Sequence, residues 1–172
     1  MFTNNAWADT YTWNLAEGDL GTTGSPSSSV TKGSPSITWS ASYTWGGSTA
    51  TKYFGNDATK GVQVGSGSST NKCSTMILST SGISGTITNV TVNGCHASNG
   101  GASIVIKVGG TTVKTSTNFT TSNANYSTGT ISQSGTIEIT ISNSKAKAFY
   151  VKSISITYSG GGGGGSTNYT VV

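Results

Sequence analysis

The sequence is short of charge and has no arginine. Charged residues make up 8% of its 172 residues, whereas an average soluble domain has roughly 25%. The nine basic residues are lysines scattered along the chain, and the net charge is +4. Proteins that bind nucleic acid cluster their cations and use arginine on phosphates and guanine, so we expect no nucleic-acid partner. No apolar run reaches the roughly 18 residues that cross a bilayer, so we expect no membrane span.

Proline and helical patterns are also scarce. The chain has 2 prolines and 25 glycines, so its turns must rely on glycine and asparagine. Apolar residues alternate with polar ones in short segments, for example at Ile37, Trp39, Ala41 and Tyr43. This period of two predicts about nine or ten strands, enough for an all-β fold. We expect a two-sheet antiparallel β-sandwich that is jelly-roll-like.

Cysteine is limited to Cys73 and Cys95. If the strand that begins at Cys73 folds back on the strand that ends at Cys95, the two cysteines face each other and Met76 faces Val92. That register satisfies both an apolar face and a bridge, so the sequence predicts a Cys73–Cys95 disulfide, with two free buried thiols as the alternative. With His96 as the sole histidine there is no four-ligand metal pattern, and we expect neither a metal nor a cofactor.

Both ends of the chain differ from its body. Ala6-Trp7-Ala8 fits the small-x-small pattern of signal-peptidase cleavage, which predicts a residual signal-peptide-like segment at 1–8. The strand pattern predicts a β-sandwich domain at 9–159, and the glycine run predicts a linker at 160–166. Residues 167–172 are interpreted as the start of a following strand or a tail. This organisation predicts a secreted or cell-surface protein with further domains in the same polypeptide.

Groups suited to catalysis are few. Glu17 and Asp19 flank a glycine in a predicted turn, and Asp57 lies in a loop where such residues cap turns. Glu138 alternates with isoleucines, so we expect it to face solvent, and no Gly-x-Ser-x-Gly elbow occurs. We therefore expect no catalytic residues and no enzymatic activity. A calcium site through Asp57 or Asp19 stays open, although the oxygen-ligand spacing fits no known loop.

Aromatic residues are the better candidates for function. Trp39 and Tyr43 share the parity of the apolar strand residues, which favours a place in the core. Trp45 and Tyr53 flank a Gly-Gly-Ser loop, and for them a place in the core and a surface platform are equally open. Flat aromatic rings can stack on sugar faces while polar neighbours bind hydroxyls. The predicted glycan platform consists of Trp45, Tyr53, Asn56, Asp57 and Lys60.

Three stretches resemble a known module. Residues 53–66, which begin Tyr-Phe-Gly-Asn-Asp, residues 83–87 and residues 147–158, which begin Lys-Ala-Phe-Tyr-Val, are similar to an uncharacterised β-sandwich module. That module occurs in secreted multidomain surface proteins of gut-type Gram-negative bacteria. The resemblance covers roughly residues 10–158 and implies no catalytic residues. The tail at 168–172 resembles the first strand of an internalin-type B repeat.

These observations lead to one favoured function and two alternatives. We expect a non-catalytic secreted binding or adhesion module whose partner is a glycan or a cell-surface polysaccharide. The first alternative is a structural or spacer domain of a multidomain surface or virion protein. The second is an accessory domain of an exported hydrolase or nuclease whose active domain lies elsewhere.

Overall fold

The structure, a computed structural model, describes residues 7–160. The signal-peptide-like segment, the linker and the tail predicted from the sequence lie outside the described residues, apart from the positions next to the domain. The described range contains fourteen strands and no helix, hence none that could cross a bilayer. The strands are β1 (Ala8–Asn14), β2 (Gly21–Thr22), β3 (Ser25–Pro26), β4 (Ser29–Lys32), β5 (Ile37–Trp45), β6 (Phe54–Asp57), β7 (Gly61–Val64), β8 (Cys73–Thr80), β9 (Thr86–His96), β10 (Ala102–Val108), β11 (Thr111–Asn118), β12 (Ala124–Ser127), β13 (Ile137–Asn143) and β14 (Phe149–Ser159).

Two antiparallel sheets of six strands form the molecule. The first, called sheet A, has the order β12-β9-β14-β7-β6, with β1 also paired to β14. The second, called sheet B, has the order β11-β10-β13-β8-β5-β4. Strands β2 and β3 form a separate two-stranded ribbon. The predicted all-β, two-sheet sandwich is therefore confirmed.

Alternating side chains build the core between the sheets. On β13, Ile137, Ile139 and Ile141 are at most 1% exposed, whereas Glu138 and Thr140 point the other way. Successive side chains of a strand face opposite sides of its sheet. A strand with alternating polar and apolar residues therefore has one buried face and one solvent-exposed face. The outer faces consist mainly of serine, threonine and asparagine. Because these uncharged polar side chains can contact water, the outer faces need few charged residues.

The predicted cysteine hairpin is wrong. Strand β8 pairs with β5 and β13 in sheet B, whereas β9 pairs with β12 and β14 in sheet A. Cys73 lies opposite Trp45, Cys95 lies opposite Tyr150, and both described cysteines are free, buried thiols. The connection at residues 81–85 crosses between sheets instead of folding back within one. Met76 on β8 still reaches the core from its own sheet, so the apolar pattern fitted both arrangements.

A Gly109-Gly110 turn joins β10 and β11 as a hairpin. Both glycines have positive φ, and Val108 lies opposite Thr111 across the turn. Further along this hairpin Ile106 lies opposite Lys114, and the β10–β11 ladder is irregular on either side of this pair.

An aromatic cluster on β1 and β5, here called the closed cluster, fills one region of the core. It consists of Tyr11, Trp13 and Trp39, all at most 1% exposed, with ring centroids 6.0–6.1 Å apart. The indole N–H of Trp39 donates to the Tyr11 hydroxyl at 2.8 Å, and that of Trp13 donates to Asp19 at 2.9 Å. Every polar atom of these two indoles is thus satisfied inside the protein.

Asp19 anchors this cluster. It lies in the predicted turn, but its side chain points inward and is only 6% exposed as a residue. One oxygen accepts the N–H groups of Trp13 and Ala16 at 2.9 Å, and the other lies 2.9 Å from the Lys32 ammonium. Burial acts to raise the pKa of Asp19, but these hydrogen bonds and the lysine together hold that pKa below its ordinary value.

Candidate functional site

Strand β6 divides the predicted glycan platform into two separate surfaces. Phe54 on β6 faces the core, while Tyr53 before it lies on the outer side, where its ring covers Gly55. Trp45 lies on the core-facing side of β5, and its ring centroid is 5.6 Å from that of Phe54. Trp45 therefore lies on the core side of Phe54 and Tyr53 on the outer side of sheet A, so the two rings do not form one surface.

Trp45 belongs to a second aromatic group, here called the open cluster: Tyr43, Trp45 and Phe54. The Tyr43 and Trp45 rings stack at 6.1 Å, and both meet the edge of Phe54 at 5.4–5.6 Å. The Tyr43 hydroxyl donates to the Leu20 carbonyl at 3.0 Å, which fixes its ring, and burial raises the pKa of this phenol. Tyr43 and Trp45 are only half-buried, so the cluster reaches the surface.

A groove of about 230 Å³ lies against the open cluster and is here called the Trp45 groove. It forms beside the start of the edge strand β4. Beyond the Ala41 N–H bond to the Ser28 carbonyl (2.8 Å), β5 pairs with no strand on that side within residues 7–160. Residues 26–28, residues 41–43, Trp45 and Lys52 line the groove. The lining offers aromatic rings, hydroxyls and one ammonium, and it contains no carboxylate.

Two residues that line this groove carry hydrogen-bond donors without a partner among the described residues. The Ala41 N–H faces the β4 side of β5, and alternation places the Tyr43 N–H on the same side, away from β8. Neither the Tyr43 N–H nor the Trp45 indole N–H has a partner among residues 7–160. The indole nitrogen of Trp45 has no partner in this range but is not fully buried, so this atom is in contact with solvent.

Lys52 lies in the connection between β5 and β6 and lines one side of the groove. Its φ is +53°, a left-handed conformation that is uncommon for residues other than glycine. Hydrogen bonds hold this segment: Gly24 N–H donates to the Lys52 carbonyl, and Thr51 N–H donates to the Asn71 side chain. In the described part of the chain the Lys52 ammonium has neither an ion-pair partner nor a hydrogen-bond acceptor.

Tyr53, Asp57 and Lys60 lie together on the outer side of sheet A. The Lys60 ammonium is 5.1 Å from the centre of the Tyr150 ring, which is only 8% exposed. One Asp57 oxygen accepts the backbone N–H groups of Lys60 and Thr59 at 2.9 Å, and these bonds lower its pKa. These contacts show Asp57 capping the β6–β7 turn and Lys60 covering a buried ring, which leaves Tyr53, 36% exposed, as the free ring of this surface.

The remaining polar candidates do not join either surface. Asn56 is exposed at the edge of sheet A, opposite Val62. Glu138 forms an ion pair with Lys107 at 3.4 Å on the outer face of sheet B. Within residues 7–160 no three histidine, cysteine or carboxylate side chains come together as a metal site. Asp19, left open for calcium, already uses both oxygens on protein donors.

Sequence reasoning missed Lys52 and the half-exposed position of Tyr43. The alternation of β5 continues from Trp39 through Tyr43 to Trp45, so parity alone would have placed Trp45 on the core-facing side. No sequence signal marks Lys52, because its left-handed backbone depends on contacts with residues 24 and 71 that are far away in the chain.

Comparison with known proteins finds matches among solved structures alone. No protein-family model and no curated protein matches the chain. One solved structure, a carbohydrate-binding module CBM36 in complex with calcium and xylotriose, has a TM-score of 0.42 and 22% identity, covering 68% of this chain and 98% of that chain. The CBM36-1 domain of a multidomain xylanase from the hindgut metagenome of Trinervitermes trinervoides has a TM-score of 0.40 and 22% identity, covering 74% and 98%. An isomalto-dextranase of Arthrobacter globiformis T6 complexed with panose has a TM-score of 0.39 and 11% identity, covering 88% and 33%.

Proposed function

We propose that this chain is a non-catalytic glycan-binding module that acts outside the cell, and that the Trp45 groove is its binding site. The observation that carries the proposal is the contrast among the tryptophans. Trp13 and Trp39 have their indole N–H groups bonded internally, whereas Trp45 lines a groove and its indole N–H has no partner among residues 7–160. An aromatic face beside unpaired donors suits a sugar ring, which has an apolar face and a rim of hydroxyls.

The size and lining of the groove favour a short stretch of a polysaccharide. A volume of about 230 Å³ is below the range of roughly 300–1,000 Å³ for pockets that enclose a drug-sized ligand. One sugar ring in the groove, with neighbouring rings outside, would fit such a site. Ser27, Ser28 and Ser42 supply hydroxyls that both donate and accept hydrogen bonds.

The path of the chain favours binding over the spacer alternative. Ala8 on β1 lies opposite Ser159 on β14, so the chain enters and leaves the sandwich at the same edge. A stalk element is expected to pass the chain from one pole to the other. A domain whose ends meet is suited to insertion as a side branch of a longer chain.

Binding to immobilised polysaccharides tests this function. Neutral and acidic polysaccharides are cast in native gels, and the retardation of the wild-type domain is compared with that of Trp45→Ala. The matched control is Tyr53→Ala, which removes an aromatic ring from the other side of β6. We expect at least one polysaccharide to retard the wild type and Tyr53→Ala but not Trp45→Ala.

Two results would count against the proposal. Loss of retardation in Tyr53→Ala alone would move the site to the outer side of sheet A. No retardation by any polysaccharide, with the fold intact by circular dichroism, would favour the spacer or the accessory-domain alternative. Export is tested separately: protein secreted from the full gene should begin at Asp9 if the predicted cleavage after Ala8 takes place.

A further inference from the structure

The lining of the Trp45 groove carries positive charge and no negative charge. Its lining has one ammonium, from Lys52, and no carboxylate. The two ion pairs in the described residues use Lys32 and Lys107, so neither neutralises Lys52. A cation beside an aromatic ring, with no acid nearby, attracts an anionic group more than a neutral hydroxyl.

The donors of the groove point to the same chemistry. The backbone N–H of Tyr43 and the indole N–H of Trp45 are both free and can only donate. With the Lys52 ammonium they give the residues that line the groove three donor groups, and the serine hydroxyls can also donate. A carboxylate or a sulfate ester presents several acceptor lone pairs and no donor, so it fits this set better than a hydroxyl does.

The backbone at Lys52 gives an independent reason to assign its side chain a function. Glycine adopts φ = +53° freely, whereas a lysine there is strained. Hydrogen bonds on both sides of Lys52 hold the strained conformation in place. Strained residues of this kind cluster at active sites, at ligand-binding sites and in switch regions.

We propose that the Trp45 groove is selective for an acidic glycan, with a sugar ring on Trp45 and its carboxylate or sulfate group at the Lys52 ammonium. This inference rests on the proposed glycan-binding function and adds the class of sugar. The anionic group would accept hydrogen bonds from the Tyr43 N–H and the Trp45 indole, and no covalent step is involved. Because Lys52 is half-buried, the contact is only partly screened by salt.

Titration calorimetry with matched ligands tests the selectivity. The first pair is a galacturonic acid oligosaccharide and its methyl ester, in which methylation removes the charge of the carboxyl groups. The second pair is dextran sulfate and dextran, which separates sulfate from carboxylate. We expect one acidic member to bind about tenfold more tightly than its neutral counterpart, the usual size of one charge-assisted contact in a half-exposed site.

Three variants connect the selectivity to Lys52. Lys52→Gln should lose about tenfold in affinity for the acidic ligand and should leave its neutral counterpart unchanged. Lys52→Gly should lose the same affinity while the domain stays folded, because glycine tolerates the positive φ. Lys147→Gln removes one charge from an exposed position outside the groove and should bind like the wild type.

The outcomes separate this inference from the function on which it rests. Equal affinity for acidic and neutral ligands, unchanged in Lys52→Gln, would overturn the inference and leave glycan binding intact. Equal losses in Lys52→Gln and Lys147→Gln would overturn it as well, since they would indicate a diffuse charge effect. No binding to any of the four ligands, together with none in the polysaccharide gels, would overturn both.

Discussion

The closed and open aromatic clusters contain similar residues but differ in how their polar atoms are satisfied. In the closed cluster, Trp39 bonds to Tyr11 and Trp13 bonds to Asp19, and water has no access. In the open cluster, Tyr43 is fixed by Leu20, but the Trp45 indole N–H remains free at a groove. Burying an amphipathic ring requires a partner for its polar atom, so a free indole N–H distinguishes a ring available for binding from one that stabilises the fold.

The largest expected difference between the clusters is in stability. Trp39→Ala removes a fully buried ring and should lower the free energy of unfolding by about 3–5 kcal/mol. Trp45→Ala should lower it by only about 1–2 kcal/mol, because part of this ring already faces water. Urea denaturation of the two variants measures the difference. Equal losses would mean that Trp45 is as much a core residue as Trp39.

The carboxylate of the closed cluster should give a smaller, pH-dependent effect. Asp19→Asn weakens bonds to Trp13, Ala16 and Lys32 and should cost about 1.5–3 kcal/mol at pH 7, the usual worth of hydrogen bonds to a charged group. Because the folded-state pKa of Asp19 lies below its ordinary value of 3.8, its stabilisation is present above that value. It is lost as the pH falls through the lowered folded-state pKa.

Urea denaturation at several pH values checks this effect. Between pH 7 and pH 3 the wild type should lose more stability than Asp19→Asn, so the two curves should converge in acid. Glu17→Gln, two residues away and exposed, serves as the control and should behave like the wild type. Parallel curves for the wild type and Asp19→Asn would show that the buried Asp19 carboxylate does not contribute in this way.

A single hydrogen bond fixes the Tyr43 ring in the open cluster. Tyr43→Phe removes the bond to the Leu20 carbonyl and should lower the free energy of unfolding by about 1 kcal/mol. The ring stays against Trp45, so polysaccharide affinity should change by less than the Trp45→Ala variant shows. Gel retardation and urea denaturation of the same protein sample measure both quantities. Complete loss of binding in Tyr43→Phe would assign the ligand contact to the tyrosine hydroxyl instead.

The smallest expected effect concerns the two thiols. Reductant should leave the unfolding free energy unchanged, because Cys73 and Cys95 lie in different sheets and are not bonded. Burial raises the pKa of Cys73 to about 12, so its thiol should react slowly with alkylating reagents until the domain unfolds. A stability loss of about 3–4 kcal/mol on reduction would reveal a disulfide after all.

The sequence predicted the layers of the fold but not which strands are neighbours. Alternation placed Met76 and Val92 in the core correctly, because that depends on each strand alone. Pairing depends on whether the connection at residues 81–85 turns back or crosses over, and the alternating pattern is the same in both cases. The predicted disulfide failed for this reason.

The candidate site was predicted only in part, for a related reason. Aromatic composition singled out Trp45 and Tyr53, but their separation by Phe54 follows from the pairing of β6 with β7 at the edge of sheet A. The groove itself exists because β4 begins only at Ser29, which leaves the end of β5 after Ala41 without a paired strand on that side in the described residues. Lys52 enters it through contacts with Gly24 and Asn71, which are distant in sequence.

Hydrogen exchange of the indole N–H groups, followed by NMR on nitrogen-15-labelled protein, tests the difference between the clusters most directly. The signals of Trp13 and Trp39 should exchange slowly, whereas those of Trp45 and the 84% exposed Trp7 should exchange fast. Trp45→Phe assigns the signal of Trp45, and an acidic oligosaccharide that binds should shift that signal and slow its exchange. Slow exchange of Trp45 in the free protein, or a ligand-induced shift confined to the other indoles, would contradict the account.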